Sequence, residues 1–298
     1  MLTETKNKPR IKGKITYIDG REEILEYGIT AIENQAYYGW NEIVNVVLPN
    51  SVEVIEGWAF GLCENLESIT IQNGVTDIGF NAFYECKKLK NVNLPESLTE
   101  IGEFAFGRCE SLESLEIPQN VSSIINNPFC GCTCKITVSP KNEHYKAVGN
   151  AVYTHDGKRL VCYVPTEEKS AFAVPEGVEA IAEYAFAECK KLIGISILAS
   201  VRSIGNSAFQ GCENITEIKI PEGVCEIEGY LFYRCKNLKS ISIPQSVRAI
   251  GFCAFEGCDN LKAVYYGGKK AEWKNVKIRE RNNAFNGKLS ERAKIYFA

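Results

Sequence analysis

The sequence predicts an α/β-class solenoid of 23-residue coils, dominated by short parallel strands and with little helix. Cysteine recurs every 23 residues in two series of four. Phenylalanine stands three residues before each of these cysteines, and isoleucine stands five residues before each phenylalanine. A fixed period of about 20–30 residues with its own apolar signature is typical of proteins whose coils bury their side chains against neighbouring coils. The cysteines, called the cysteine ladder below, are Cys63, Cys86, Cys109, Cys132, Cys189, Cys212, Cys235 and Cys258.

One coil, taken as residues 66–88, shows how the period predicts local structure. Residues 66–71 end in an alternation of apolar and polar side chains, which indicates a short strand with one buried face. In most copies this strand ends at a proline, which lacks the N–H needed to continue a ladder. A second short extended segment follows at residues 75–79, and Phe83 and Cys86 then fill the core.

The ladder cysteines are predicted to be buried free thiols. Equivalent residues of neighbouring coils stack at about the interstrand spacing of 4.8 Å. In-register side chains at that spacing point in parallel and not toward each other, which is unfavourable for a disulfide. We therefore interpret them as small apolar side chains of the core.

Breaks in the period predict the domain organisation. Residues 15–25 contain Asp19-Gly20 between two strand-like runs, which indicates a hairpin suited to capping the array. The gap between the fourth and fifth ladder cysteines is 57 residues, and the period is lost after residue 266. The expected segments are an N-terminal hairpin cap (1–27), a first repeat block (28–140), an irregular hairpin-containing interruption (141–176), a second repeat block (177–266) and a C-terminal cap (267–298).

Composition narrows the function classes. The 298 residues carry a net charge of −3 without a long basic run, which argues against nucleic acid as a partner. No stretch of about 18 apolar residues is present, so we expect no membrane insertion. The first residues lack the apolar region of a signal peptide, which predicts a cytoplasmic protein if the chain as written is complete. We expect a monomer without a cofactor.

The repeat resembles a known family. The unit Leu-x-x-Ile-x-Ile-Pro-x-x-Val-x-x-Ile-Gly-x-x-Ala-Phe-x-x-Cys, matched at every consensus position by residues 238–258, resembles the BspA-type (TpLRR-like) bacterial leucine-rich repeat. This resemblance implies a right-handed leucine-rich-repeat superhelix with a parallel sheet on its concave face. It also implies a cell-surface or secreted protein used for adhesion to host or neighbouring cells.

Strand residues that point away from the core are the first candidate binding residues. They are mostly small, polar and uncharged, which favours hydrogen bonding to a protein or glycan ligand. The alternative is a sheet face that is merely solvated. The candidates are Ser68, Thr70, Asn91, Asn93, Ser114, Glu116, Ser196, Glu217, Lys219, Ser240, Ser242 and Tyr265.

A second candidate set is a broken aromatic column two residues before the core phenylalanines. Exposed aromatic side chains can stack against sugars or anchor a protein partner. Half-buried packing over the neighbouring turn is the alternative interpretation. The column consists of Trp58, Phe104, Tyr184 and Tyr230.

Catalytic and metal sites have little support in the sequence. His155 and Cys162 flank a predicted hairpin turn and define a conceivable nucleophile pair, but no third orienting group accompanies them. The segment 130–134 contains three cysteines with His144 downstream, a soft ligand set whose spacing is not that of a standard zinc finger. A buried thiol cluster is the alternative.

The sequence therefore predicts a non-enzymatic recognition scaffold, acting as a bacterial cell-surface or secreted protein in adhesion or host interaction. The inference from fold to function is an analogy. Three alternatives stay open: an intracellular protein-interaction scaffold, a structural spacer, and an enzyme or zinc protein that uses the interruption.

Overall fold

A computed structural model describes residues 11–166, 170–279 and 293–298. The described residues form two compact units. Unit 1 contains residues 11–128 and 139–142, and unit 2 contains residues 129–138 and the described residues from 143 onward. Short strands and turns make up both units, and the helix in the described residues is a single turn, α1 (Lys270–Trp273). The predicted solenoid of 23-residue coils is confirmed.

Unit 1 is built on two parallel ladders. One sheet has the strand order β10-β8-β6-β4-β1-β2, in which β1 pairs antiparallel with both β2 and β4, and the other has the order β11-β9-β7-β5-β3. The strands are β1 (Gly13–Tyr17), β2 (Glu22–Leu25), β3 (Ala31–Ile32), β4 (Ile43–Val47), β5 (Val54–Ile55), β6 (Ser68–Thr70), β7 (Asp77–Ile78), β8 (Asn91–Asn93), β9 (Glu100–Ile101), β10 (Ser114–Ile117) and β11 (Ser123–Ile124).

Unit 2 begins with an antiparallel hairpin and continues with parallel ladders. Its sheets have the orders β13-β14-β15-β17-β19, β16-β18, β20-β22-β24-β26 and β21-β23-β25. The strands are β12 (Lys135–Val138), β13 (Tyr145–Val148), β14 (Ala151–Thr154), β15 (Arg159–Tyr163), β16 (Ser170–Ala173), β17 (Ala180–Ile181), β18 (Leu192–Ser196), β19 (Ser203–Ile204), β20 (Glu217–Lys219), β21 (Glu226–Ile227), β22 (Ser240–Ile243), β23 (Ala249–Ile250), β24 (Ala263–Tyr266), β25 (Lys277–Ile278) and β26 (Lys294–Phe297).

The core of each unit is a stack of phenylalanine rings, one per coil. In unit 1 the ring centroids of Phe60 and Phe83 lie 5.6 Å apart, with ring planes 3° from parallel. In unit 2 Phe209 stacks on Phe186 at 5.2 Å and on Phe232 at 5.6 Å. Each of these rings is at most 1% exposed. Nearly parallel rings at this separation form the offset stack that aromatic quadrupoles favour.

The turn that carries each phenylalanine depends on left-handed backbone. In the coil of Phe60, the residues two positions before and after it, Trp58 and Leu62, have φ of 58° and 61°. The N–H of Phe60 donates to the carbonyl oxygen of Ala82 at 2.8 Å, and the N–H groups of Trp58 and Leu62 make equivalent bonds to the next coil. A left-handed residue other than glycine costs roughly 1–2 kcal/mol. These hydrogen bonds offset that cost by satisfying the backbone of the turn.

In some coils a glycine follows the isoleucine that stands five residues before the core phenylalanine, and the backbones of neighbouring coils are close there. A Cβ atom on Gly251 would lie 2.4 Å from the backbone nitrogen of Gly229 in the preceding coil. Backbone atoms cannot withdraw as a flexible side chain can. Residue 251 is therefore glycine because a side chain there would collide with the backbone of the preceding coil.

The C-terminal residues extend the ladders of unit 2 by one further coil. Strand β25 pairs in parallel with β23, and β26 pairs in parallel with β24. Paired residues are 28 apart in the first case (Ala249 and Lys277) and 31 apart in the second (Tyr265 and Tyr296). The extra residues include α1, so this coil has the strands of a repeat but not its length.

Candidate binding surface

In unit 1 the sheet exposes the predicted polar positions. Strands β6 and β8 have the pattern exposed, buried, exposed, so Ser68 and Thr70 lie on one side and Ile69 between them enters the core. The hydroxyl group of Ser68 donates to Oδ1 of Asn45 at 2.7 Å, one coil away. The side chains exposed here include Ser68, Thr70, Asn91, Asn93, Ser114 and Glu116. We call this side the outward face of unit 1.

Unit 2 has its own outward face, on the sheet β20-β22-β24-β26 and the pair β16-β18. Ser196, Glu217, Lys219 and Tyr265 are exposed there, and Ser240 and Ser242 are half-buried. The register places equivalent residues of successive strands in columns across the sheet. One column is Glu217, Ser240, Ala263 and Lys294, and the other is Lys219, Ser242, Tyr265 and Tyr296.

Two grooves mark the outward face of unit 2. The first, of about 430 Å³, lies over Ala171, Ala173 and Gly194, whose side chains are small or absent. The second, of about 420 Å³, is lined by Tyr265 and Tyr296 together with Lys219 and Ser242. We call the second one the tyrosine groove. Both volumes are in the range of small-ligand sites.

The tyrosine groove includes a residue that the sequence prediction missed. The rings of Tyr265 and Tyr296 stack at 5.1 Å with planes 19° apart, and both side chains are at least 40% exposed. Tyr296 is absent from the predicted binding residues because its offset from Tyr265 is 31 residues and not 23. A usable signal was present, since Ile295-Tyr296-Phe297 repeats the apolar, exposed aromatic, apolar order of Val264-Tyr265-Tyr266.

The aromatic column is held close to its own turns. Trp58 contacts Tyr38 and Tyr84 edge to face, with centroids 5.5 Å apart in each case, and Tyr230 contacts Tyr233 in the same way at 5.7 Å. The four members, Trp58, Phe104, Tyr184 and Tyr230, all have φ between 52° and 58°. Tyr230 is 38% exposed and the other three are half-buried. Their packing over the turns restricts the area they offer to a ligand.

The ladder cysteines are buried free thiols with a hydrogen-bonding role. The Cys86 thiol donates to the carbonyl oxygen of Phe60 at 3.2 Å, and that oxygen also accepts the N–H of Cys63. Equivalent S–H bonds of 3.0 to 3.4 Å join cysteine to the aromatic residue 26 positions earlier for Cys63, Cys109, Cys189, Cys212, Cys235 and Cys258. Cys132 is also buried and forms no disulfide. Cysteine thus fills the core and supplies a weak donor to it.

Tyrosine replaces phenylalanine at the first coil of each array. Tyr37 stacks on Phe60 at 5.2 Å and its carbonyl oxygen accepts the Cys63 thiol. Tyr163 has the same relation to Cys189, with its ring 5.5 Å from that of Phe186. The sequence analysis left Tyr163 within the interruption, outside both repeat blocks.

The interruption offers poor conditions for nucleophilic catalysis. Strands β14 and β15 pair antiparallel around residues 155–158, and Cys162 is fully buried in β15. Desolvation raises the pKa of the Cys162 thiol to about 12, so it is protonated at neutral pH, whereas a nucleophilic cysteine requires the thiolate. Within the described residues no group of three or more His, Cys, Asp or Glu side chains is arranged to hold a metal ion. Those residues also include no helix with the length and apolarity needed to cross a bilayer.

The coil geometry and the repeat define a leucine-rich-repeat solenoid, a class of scaffold associated with protein interaction. A family model for the BspA-type leucine-rich repeat region matches residues 23–155 and 162–287, with six copies. The chain belongs to the BspA-type leucine-rich repeat family. Among curated proteins no significant match was found.

Solved structures with the same fold come from bacteria. A leucine-rich repeat protein of Eubacterium ventriosum is 23% identical, with a TM-score of 0.66, over 88% of this chain and 80% of that one. The pneumococcal vaccine antigen PcpA is 21% identical, with a TM-score of 0.71, over 96% of this chain and 87% of that one. At these identities the similarity establishes the fold.

Proposed function

We propose that the chain is a non-enzymatic recognition scaffold that acts at the bacterial cell surface or after secretion and binds a protein or glycan through its outward sheet faces. The observation that carries this proposal is the position of both grooves of unit 2 on its outward face. Four side chains lie on that face and outside the core of the coils: Lys219, Ser242, Tyr265 and Tyr296. Repeat arrays commonly bind extended partners on such surfaces.

The site of action is tested by fractionating the native bacterium and treating intact cells with protease. Surface exposure is the expected result and supports adhesion or host interaction. A protease-protected cytoplasmic pool would overturn it and favour an intracellular interaction scaffold.

The binding face is tested by introducing large side chains that block it. We expect Ser196→Tyr and Ser240→Tyr to reduce binding to an array of host glycans and extracellular-matrix proteins by about tenfold or more, because both side chains lie on the outward face. The matched control is Asn237→Tyr, at an exposed turn position of the same unit. Equal binding by all three variants and the wild type would reject the face as the binding surface and favour a structural spacer.

A further inference from the structure

We infer that the tyrosine groove binds a neutral pyranose ring of a glycan, with an apolar face of the sugar against the ring of Tyr265. This inference rests on the proposed function, because it names the ligand class for one part of the same outward face.

The groove contains a slot one coil wide. Lys219, Ser242 and Tyr265 are consecutive in one column of the parallel sheet. At an interstrand spacing of about 4.8 Å, Lys219 and Tyr265 are about 9.6 Å apart along the sheet. Ser242 between them has a short side chain, so the space above it is bounded by the tyrosine ring on one side and the lysine stem on the other.

The width of this slot suits one saturated six-membered ring. Atoms of apolar groups in contact lie about 4 Å apart, so a ring placed midway can contact Tyr265 and the methylene groups of Lys219 together. Tyr296 stacks behind Tyr265 and fixes the orientation of its ring, which makes Tyr296 a positioning residue. The aromatic wall is thus oriented before a ligand arrives.

The polar groups of the groove are complementary to hydroxyl groups. The Lys219 ammonium only donates hydrogen bonds, the Glu222 carboxylate only accepts them, and the Ser242 hydroxyl does both. Within the described part of the chain, none of these three side chains has a hydrogen-bond or ion-pair partner. Sugar hydroxyls donate and accept at once and can therefore satisfy all three groups.

The charges favour a neutral ligand. Among the side chains that line the groove, one is a cation, Lys219, and one is an anion, Glu222, so the side chains together contribute no net charge. A proline or aromatic side chain would use Tyr265 but would leave the hydroxyl and the two charged groups to the flanking peptide backbone, whereas the hydroxyl groups of a single pyranose can pair with all three. The observations therefore favour a pyranose over a peptide side chain.

Saturation-transfer NMR with small probes tests the inference on the whole chain. The probes are methyl β-D-glucopyranoside, methyl β-D-galactopyranoside and methyl α-D-mannopyranoside, with N-acetyl-prolinamide and N-acetyl-tyrosinamide as the peptide alternatives. We expect transfer to the C–H protons on one face of at least one pyranoside. Tyr265→Ala should weaken that binding about tenfold, since an aromatic contact is worth up to about 1.5 kcal/mol.

A second groove variant and a control keep the test decisive. Ser242→Gln fills the slot without altering Tyr265 and should abolish the transfer that Tyr265→Ala weakens. Tyr38→Ala, which removes an exposed tyrosine of unit 1, should leave the transfer unchanged. Thermal unfolding of each variant checks that it is folded.

Two results would overturn the saccharide assignment. The first is the absence of transfer from every pyranoside, or transfer that both groove variants retain. The second is Tyr265-dependent transfer to an amide probe alone, which would assign the groove to peptides. Neither result contradicts the proposed function, which fails separately if Ser196→Tyr and Ser240→Tyr leave macromolecular binding intact.

Discussion

Replacing Phe209 with alanine should lower the free energy of unfolding of unit 2 by about 4 kcal/mol. Phe209 is fully buried and stacks between two other phenylalanines. A phenylalanine buries at least about 150 Å², which at about 25 cal/mol per Å² corresponds to about 4 kcal/mol. Measured Phe→Ala costs of about 3–5 kcal/mol agree with this value, because the cavity left behind collapses only partly.

Urea unfolding followed by far-UV circular dichroism measures the change in the free energy of unfolding. Hydrogen exchange provides a local check, since amides of the coils next to Phe209 should lose the most protection if each coil depends on its neighbours. The control is Phe252→Ala in the same unit, because that side chain is 42% exposed and should cost much less. Similar losses for the two variants would refute the assignment of the phenylalanine stack as the core.

Three further predictions concern the backbone contacts and the thiols. Gly251→Ala should destabilise unit 2 strongly, because the new Cβ would meet the backbone of Gly229, whereas Gly194→Ala, with open space around it, should be nearly neutral; equal urea midpoints would contradict this. Thiol titration with a disulfide reagent should detect one reactive cysteine in the native protein, the exposed Cys225, and thirteen after denaturation; several reactive thiols in the native state would argue against the buried ladder. Burial raises the pKa of the Cys63 thiol from 9.0 to about 12, so the folded state keeps a proton that the unfolded chain releases. Its contribution to stability is complete below pH 9 and is lost as the pH rises toward 12, by about 1.4 kcal/mol per pH unit for each such thiol. A urea midpoint that does not decrease when the pH is raised from 8 to 10 would contradict that assignment.

The repeated architecture was predictable because it depends on side-chain volume and spacing. The 23-residue interval fixes which residues lie above one another, and the alternation in segments such as 68–71 fixes which of them point outward. Ser242 and Tyr265 could therefore be assigned to the outward face from the sequence alone. Residues outside the 23-residue interval could not be assigned to a face in this way.

Features that depend on backbone geometry were not predictable. Nothing in the apolar pattern indicates that Trp58 and Leu62 adopt left-handed backbone, since neither is a residue type that favours it. The hydrogen bond from the Cys86 thiol to the carbonyl oxygen of Phe60 is equally hidden, because cysteine fits the core by volume alone. Tyr296 was missed for a different reason, since the residues of α1 interrupt the count.

The ladders have a consequence for how the gene can vary. Between Phe186 and Phe255, the ring stacks and strand pairs join residues 23 apart and the thiol bonds join residues 26 apart. Removing any 23 consecutive residues in this stretch brings equivalent positions next to each other, so each remaining coil meets a neighbour of the same kind. Duplicating 23 consecutive residues inserts one further coil, and that coil also meets neighbours of the same kind. The gain or loss of one 23-residue period would therefore widen or narrow the sheet by one strand without requiring a new way to pack the core, and the number of periods would set how much outward face the protein presents.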